Sequence, residues 1–504
     1  MNVGRNIIAN FVGRIWIALM SFCFVPLYVR YLGIESYGLV GIFNSLMSFL
    51  IFLEFGMAQT LVRESARSKV SSDDLKFFQK LINSFEIVYG CIAVIFVFVL
   101  WFISDLLASG WLESKLINQD TISVAIQIMA IVAATRWVSG SYRSALIGRQ
   151  RQVWLNGFDV VFSTVRGGGV IVVLVWVSNT VEAFFIYQGS VSVIEFVMLR
   201  WQVRSEISLS PVGFPVFSLQ AIQNVWRFTG GVSVVTLLGS GISQLDKLLL
   251  PGLVSLEAFG IYMLANSIGR TIRQLVMPIV TAYRPVFAQL VYENNEIKLR
   301  KAYHAATQFT VLAVVPASVV LSMYAKPLVF YWVGDALIAS LASPIVSMVA
   351  IGSALNGLVN MPYSIQLAYG DVNIAIKLNL LAFIIFVPVF YFGVVHFGIL
   401  AAGFVWMFLN LMYIVFNLSI THRRFLIGSS NPWYCVDVIP ATIVVVIVTM
   451  LTRFFMPQDS SVWFIVFVLI SGLSAFFAAV IVLPEIRNYA MKHLINPFIG
   501  KFYG

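Results

Sequence analysis

Arg270 and Arg273 lie three residues apart in "FGIYMLANSIGRTIRQLVMPIVTAYRPVF", residues 259–287, a stretch otherwise apolar enough to cross a membrane. On a helix that spacing puts both side chains on one face. Each guanidinium at the centre of a bilayer costs about 2.5–3.5 kcal/mol on insertion scales, so intramembrane charge is kept for a purpose. The group is a planar fork of N–H donors that stays protonated and matches the oxygens of a phosphate. The chemistry this pair offers is therefore oxyanion binding. No HExxH, GxSxG or P-loop pattern occurs anywhere in the chain. Cys23, Cys91 and Cys435 have no paired spacing, and His304, His396, His422 and His493 are scattered near the ends of apolar stretches. No enzymatic activity, metal or cofactor is expected.

Composition supplies the setting. Of 504 residues, 60% are hydrophobic and 11% charged, whereas a soluble chain carries about 25% charged residues. The 42 Phe and 12 Trp suit lipid-facing surface and interfacial belts. The chain reads as an all-α polytopic membrane protein. A ruler of about 20 apolar residues per span marks fourteen spans, at 6–30, 37–59, 82–104, 121–142, 153–177, 181–200, 227–249, 257–283, 303–325, 338–362, 374–395, 398–421, 434–455 and 461–483. The first is a span and not a cleavable signal, because Ile7 to Leu27 is too long for a signal core and Arg14 interrupts it.

Lys and Arg orient the spans. On alternate loops and ends, one face collects 22 of the 32 basic residues, among them Arg63, Arg67, Arg149, Arg151, Arg200, Arg204, Lys298 and Arg300. The other holds 5: Arg30, Lys115, Lys247, Lys326 and Arg453. This imbalance places both termini in the cytoplasm and requires an even number of spans. It also accounts for most of the net charge of +10 without nucleic acid, the rest favouring anionic head groups. Five basic residues remain inside spans: Arg14, Arg136, Arg166, Arg270 and Arg273.

The chain repeats itself. "LGIESYGLVGIFNSL" (32–46) lies over "LVSLEAFGIYMLANSI" (253–268) at an offset of 222 residues, matching Glu35 with Glu257, Gly38 with Gly260, Asn44 with Asn266 and Ser45 with Ser267. Two pseudo-symmetric lobes follow. Residues 1–200 form the first (spans 1–6) and 201–226 a cytoplasmic linker; residues 227–424 form the second (spans 7–12), and 425–504 carry spans 13–14 and a cytoplasmic tail. Parallel repeats commonly enclose a substrate path at their interface, so a central cavity is expected. At the same offset Arg270 meets Ser48 and Arg273 meets Ile51, so the scaffold itself does not demand these charges.

Polar stripes accompany them. Asn266, Arg270, Arg273 and Gln274 recur at helical spacing on span eight, and Asn6, Asn10 and Arg14 on span one. Such stripes face protein or water, because unpaired donors in hydrocarbon are expensive. The competing role for the arginines is to neutralise intramembrane acids such as Glu54, Asp159, Glu195 or Asp246.

"YVRYLGIESYGLVGIFNSLMSFLIFLEFGMAQTLVRESAR" (28–67) resembles the opening of bacterial oligosaccharide-unit flippases, the O-antigen and exopolysaccharide transporters. "LDKLLLPGLVSLEAFGIYMLANSI" (245–268) is similar to their second-half signature, and "ALIGRQRQVWLNGFDVVFSTVRG" (145–167) adds to the likeness. The resemblance implies the fold of the multidrug/oligosaccharidyl-lipid/polysaccharide exporter superfamily. It also implies translocation of an undecaprenyl-pyrophosphate-linked oligosaccharide across the bacterial inner membrane by alternating access. Basic residues on spans one, two and eight of related flippases are thought to hold the pyrophosphate, which points here to Arg14, Arg270 and Arg273. Span two departs from that pattern, with Ser48 and Glu54 and no basic residue before Arg63. The implied partners are membrane lipid and a downstream polymerase and ligase. Asp246 and Glu54 are the candidates for coupling to a proton or sodium ion. A multidrug exporter of the same superfamily and a membrane polysaccharide polymerase or glycosyltransferase are the alternatives. The basic span residues disfavour the first, and the absence of long loops disfavours the second.

Overall fold

Only backbone that satisfies its own polar groups tolerates hydrocarbon, and this chain answers with helix after helix. The computed structural model describes residues 3–50, 52–54, 56–69, 71–210, 213–226, 229, 244–371, 373–455 and 461–491, with helical residues 3–12, 14, 15, 18, 21, 461, 462 and 490 described by backbone alone. Among the described residues the only strand-like pairing is an isolated bridge between Glu113 and Ser255. Twelve described helices are long and apolar enough to span a membrane. Of the fourteen expected spans, the first lies on Val3–Leu32, whose described apolar portion is Phe22–Leu32, and the seventh (227–249) falls largely outside the described residues. The protein is a multi-pass membrane protein. Its large exposed side chains fit that setting: Phe102, Trp176, Phe392 and Phe477 are more than half exposed on spanning helices.

The chain divides into two compact units, Met1–Gly260 and Ile261–Gly504. The first is built from α1 (Val3–Leu32), α2 (Ile34–Leu50), α3 (Met57–Arg67), α4 (Ser72–Gly110), α5 (Gln119–Gly148), α6 (Gln152–Trp176) and α7 (Val181–Glu206). Helix starts are capped as their sequences suggest. The Ser71 side chain accepts from the Asp74 N–H, and Thr180 accepts from Ala183. Span two ends sooner than expected. After α2 comes a 3₁₀ turn, Phe52–Glu54, and then Gly56 in a left-handed conformation (φ 69°) that starts the amphipathic α3. A residue with a Cβ is strained at that φ, so glycine permits the bend.

Charges inside this unit pair with one another. Arg143 of α5 binds Asp159 of α6 and Glu195 of α7, and Arg166 of α6 binds the second oxygen of Glu195. Arg136 donates to Ser192 Oγ at 3.0 Å and to Gln188 Oε1 at 2.5 Å, with its guanidinium 5.0 Å from the Phe43 ring centre. Two of the five span arginines therefore help knit α5, α6 and α7 together: Arg166 pairs with an intramembrane acid, whereas Arg136 is held by neutral partners.

The internal repeat leaves a visible mark. A Cβ on Gly38 of α2 would lie 2.5 Å from the carbonyl oxygen of Leu256, and one on Gly260 would collide with the carbonyl of Ile34. Both pairs obey the 222-residue offset, so the crossing is self-complementary in the manner of a two-fold contact. The Glu35 carboxylate holds the neighbouring loop, accepting the N–H groups of Lys115 (2.7 Å) and Leu116 (3.1 Å). The segment after α7 is strapped to α4. Arg204 donates to the Ser210 carbonyl and to Asn83 Oδ1, Arg200 donates to the Gly213 carbonyl, and Gln79 donates to the Ile207 carbonyl.

The second unit takes in most of α8 (Leu256–Gly269), then α9 (Met277–Tyr292), α10 (Glu296–Met323), α11 (Ala325–Val333), α12 (Ala336–Ala368), α13 (Asn373–Phe397), α14 (Ile399–Tyr413), α15 (Ser419–Arg424), α16 (Ile439–Phe454), α17 (Ser461–Val482) and α18 (Pro484–Ala490). Helix α10 runs through its core, packed on α9, α12, α16 and α17. Two π-helical turns, Ile414–Leu418 and Trp433–Val438, interrupt the later spans. In the second, buried Asp437 accepts from Gln308 Nε2 (2.7 Å) and lies 2.5 Å from His304 Nδ1, which ties this turn to α10.

Removing one member of a buried ion cluster leaves its partners uncompensated, at a cost of about 3–5 kcal/mol. Glu195→Ala should lower the thermal unfolding midpoint of the detergent-solubilised protein by several degrees, while Arg166→Ala/Glu195→Ala should recover part of the loss. Additive losses in the double variant would show that the pair is not energetically coupled.

Candidate functional site

The paired arginines do not sit on a continuous α-helix. Helix α8 stops at Gly269, residues Arg270–Leu275 form a 3₁₀ helix, and α9 begins at Met277. Pro278 supplies a reason. It has no N–H to give the Gln274 carbonyl, and its ring would crowd that carbonyl in an α-helix. Six residues is long for a 3₁₀ segment, and such a stretch within a helix often marks a functional hinge.

The break changes the geometry expected from sequence. At three residues per turn, positions three apart eclipse one another, so Arg270 and Arg273 align more closely than α-helical spacing would allow. Both are half-buried. Gln274 leaves the stripe: one residue on, it is turned by about 120° and is exposed. Asn266 lies one turn earlier in α8, buried at 3% exposure.

The surroundings of Arg270 were not legible beforehand. Its guanidinium carbon lies 4.9 Å from the ring centre of Trp406 on α14. The turn itself is drawn against α12, where a Cβ on Gly269 would come within 2.7 Å of Val349. Nothing in a chain with 73 aromatic residues singles out Trp406 in advance.

The repeat sharpens the comparison between halves. Transposed by 222 residues, the Phe52–Glu54 turn of the first half falls on 274–276, at the end of the 3₁₀ segment of the second. Both second spans of the repeat therefore break at corresponding places, and only the second carries arginines there. Interrupted helices at matching positions of two repeats are the general pointer to a transporter's binding site.

The first half places an acid at its break. Glu54 is half-buried and accepts from the Tyr89 hydroxyl at 3.3 Å, and the Tyr89 ring packs on Trp137 at 4.6 Å between centres. Asp246 is also buried, at 5% exposure, in the same unit. The side chains of Asn6, Asn10 and Arg14 lie outside the described residues, although their backbone belongs to α1. Among the described residues no cluster of three or more His, Cys, Asp or Glu is suited to a metal ion.

The helical arrangement of the described residues is shared with known structures. The chain is similar to the lipid II flippase MurJ in an inward-closed conformation, with a TM-score of 0.68 at 14% identity, covering 94% of this chain and 98% of that one. It is also similar to an inward-facing multidrug resistance transporter of the MATE family and MOP superfamily, with a TM-score of 0.65 at 14% identity, covering 81% of this chain and 94% of that one. At such identities the likeness defines the fold alone. The sequence is more particular: the chain belongs to the polysaccharide biosynthesis protein family, whose model matches residues 3–291. It is 25% identical over 284 residues to the teichuronic acid biosynthesis protein TuaB of Bacillus subtilis, a match spanning 56% of each chain.

Pro278→Ala would restore the donor that an α-helix needs at this point. Hydrogen exchange across residues 270–280 should slow in that variant. Unchanged exchange would mean that packing on α12, and not the proline, enforces the break.

Proposed function

We propose that this protein is a flippase that carries an undecaprenyl-pyrophosphate-linked oligosaccharide repeat unit across the bacterial cytoplasmic membrane, for assembly of an O-antigen or other surface polysaccharide. The observation that carries the reading is the arginine pair aligned on a helix break inside a membrane span. A diphosphate crossing hydrocarbon must exchange its hydration for other donors, and two aligned guanidinium groups are suited to supply them. Arg14 and Asn10 of α1 and Asn266 of α8 complete the proposed headgroup site, with Gln274 at its exposed edge. Membership of the polysaccharide biosynthesis family and the flippase-like fold support this choice of cargo. Cationic drugs favour acidic pockets, so the arginines argue against the multidrug alternative that shares the fold.

In this proposal both termini are cytoplasmic, the two pseudo-symmetric lobes alternate access to a central cavity, and the polyprenyl tail stays in lipid. A proton or sodium ion drives the cycle through Glu54 or Asp246. A polymerase and a ligase use the delivered unit downstream.

Arg270→Ala/Arg273→Ala should insert normally, abolish surface glycan assembly in cells and reduce translocation of lipid-linked oligosaccharide in reconstituted vesicles at least tenfold. Wild-type translocation by the double variant would remove the headgroup role. Glu54→Gln or Asp246→Asn should flatten the pH or sodium dependence of the vesicle rate, and an unchanged profile for either variant would exclude that residue from coupling.

A further inference from the structure

Helix α12 carries a polar face outside the proposed headgroup site. Ser353, Asn356, Asn360 and Ser364 recur at i, i+3, i+7 and i+11, which is one face of an α-helix. The face runs beside the broken span. A Cβ on Gly269, just before the 3₁₀ segment, would stand 2.7 Å from Val349, and one on Gly357 would stand 2.7 Å from Val276, just after it. Asn356 and Asn360 thus lie in a spanning helix next to the arginine segment, and both are half-buried. An unsatisfied amide facing hydrocarbon is expensive, so such a face is kept for protein, water or a ligand.

The amides are turned in a definite sense. Helices α12 and α14 approach closely at Gly352, where a Cβ would stand 2.7 Å from Trp406 Cδ1. Asn410 of α14 donates Nδ2 to the Trp406 carbonyl at 2.8 Å, which leaves its Oδ1 to meet Asn356. Asn356 answers with its own Nδ2 at 2.8 Å, so its Oδ1 is left over. Asn360 donates Nδ2 to the Asn356 carbonyl at 2.8 Å, and its Oδ1 is left over likewise. Among the described residues neither Oδ1 accepts a hydrogen bond, and neither is sealed in the interior. One turn earlier on this face, the hydroxyl of fully buried Ser353 also lacks a partner among the described residues. Successive turns therefore present two acceptor oxygens, on residues about 6 Å apart along the helix axis.

Acceptors beside donors divide a ligand between them. Phosphate oxygens only accept, so they suit guanidinium groups and not a carboxamide oxygen. Sugar hydroxyls both donate and accept, and each amide offers an oxygen and a second N–H. We propose that Asn356 and Asn360 form a saccharide subsite, which binds hydroxyl groups of the sugars nearest the diphosphate while Arg270 and Arg273 hold the diphosphate itself. The proposal rests on the flippase reading above and adds where the sugar is held. The Asn410 contact fixes the Asn356 amide before the sugar arrives, so little ordering is left to be done on binding.

The test uses the full-length protein in nanodiscs with two probes: undecaprenyl diphosphate, and the undecaprenyl-diphosphate oligosaccharide extracted from cells that lack this protein. Equilibrium binding of each is read together with the thermal midpoint. Asn360→Leu should weaken binding of the oligosaccharide lipid about 2- to 12-fold, the range expected for losing one neutral hydrogen bond, and leave undecaprenyl diphosphate unchanged. The Asn360 side chain bonds only to its own helix among the described residues, so this variant should keep its fold. Asn360→Ser retains a bond to the Asn356 carbonyl but withdraws the reaching oxygen, and should weaken the same probe alone. Asn356→Leu/Asn410→Leu removes the paired amides together and should do the same. Arg270→Ala/Arg273→Ala should weaken both probes.

Wild-type binding of the oligosaccharide lipid by these asparagine variants, or equal weakening of the two probes, overturns the saccharide subsite while leaving the headgroup reading intact. A loss seen only in the presence of sodium overturns it as well, since the oxygens would then be ligating a cation. Failure of the wild-type protein to bind either lipid overturns both readings. Where Asn360→Leu lowers the thermal midpoint, Asn360→Ser decides.

Discussion

A charge in hydrocarbon must be compensated within the protein, and that constraint organises this molecule. Three solutions coexist. In the first unit, Arg143 and Arg166 share Glu195 and draw in Asp159, so that three helices are joined through charge. Arg136 takes a second route, through the amide of Gln188, the hydroxyl of Ser192 and the ring of Phe43. Arg270 takes a third, lying over Trp406. The first two use the donors of the guanidinium in holding helices together, and the third adds contact with an aromatic face.

The internal repeat separates scaffold from function. Both halves break their second span at the same relative place, and the two matched glycines, Gly38 and Gly260, meet reciprocally against the backbones of Leu256 and Ile34. Those features belong to the common architecture. The arginines belong to one half only, where Ser48 and Ile51 stand at the equivalent positions of the other. A fold does not by itself fix function, and side chains placed at a break that the scaffold already provides are one way in which the halves differ in chemistry.

Membership of the polysaccharide biosynthesis family and a fold similar to that of MurJ agree with what the motifs around residues 28–67 and 245–268 suggested. The agreement is unsurprising in physical terms. Spans, basic loops and repeat offsets are local or statistical properties of a chain, and each leaves a trace without reference to its neighbours.

By itself the sequence determined the solvent, the helical class, the repeat and the two arginines, because hydropathy, charge and self-similarity are carried by composition along the chain. It also offered Glu195 among four acids open to the span arginines, though not that Arg166 is the one to meet it or that Arg143 joins them. Tertiary structure decided what depends on neighbours distant in sequence. The continuous helix expected at 257–283 gives way to a 3₁₀ turn where Pro278 withholds a donor and Gly269 packs against Val349. That turn brings Arg270 and Arg273 into line and sends Gln274 elsewhere. Trp406 lies 136 residues from Arg270 in sequence and 4.9 Å from it in space. No periodicity could have chosen that ring among so many, because what selects it is the missing side chain of Gly352 on a third helix.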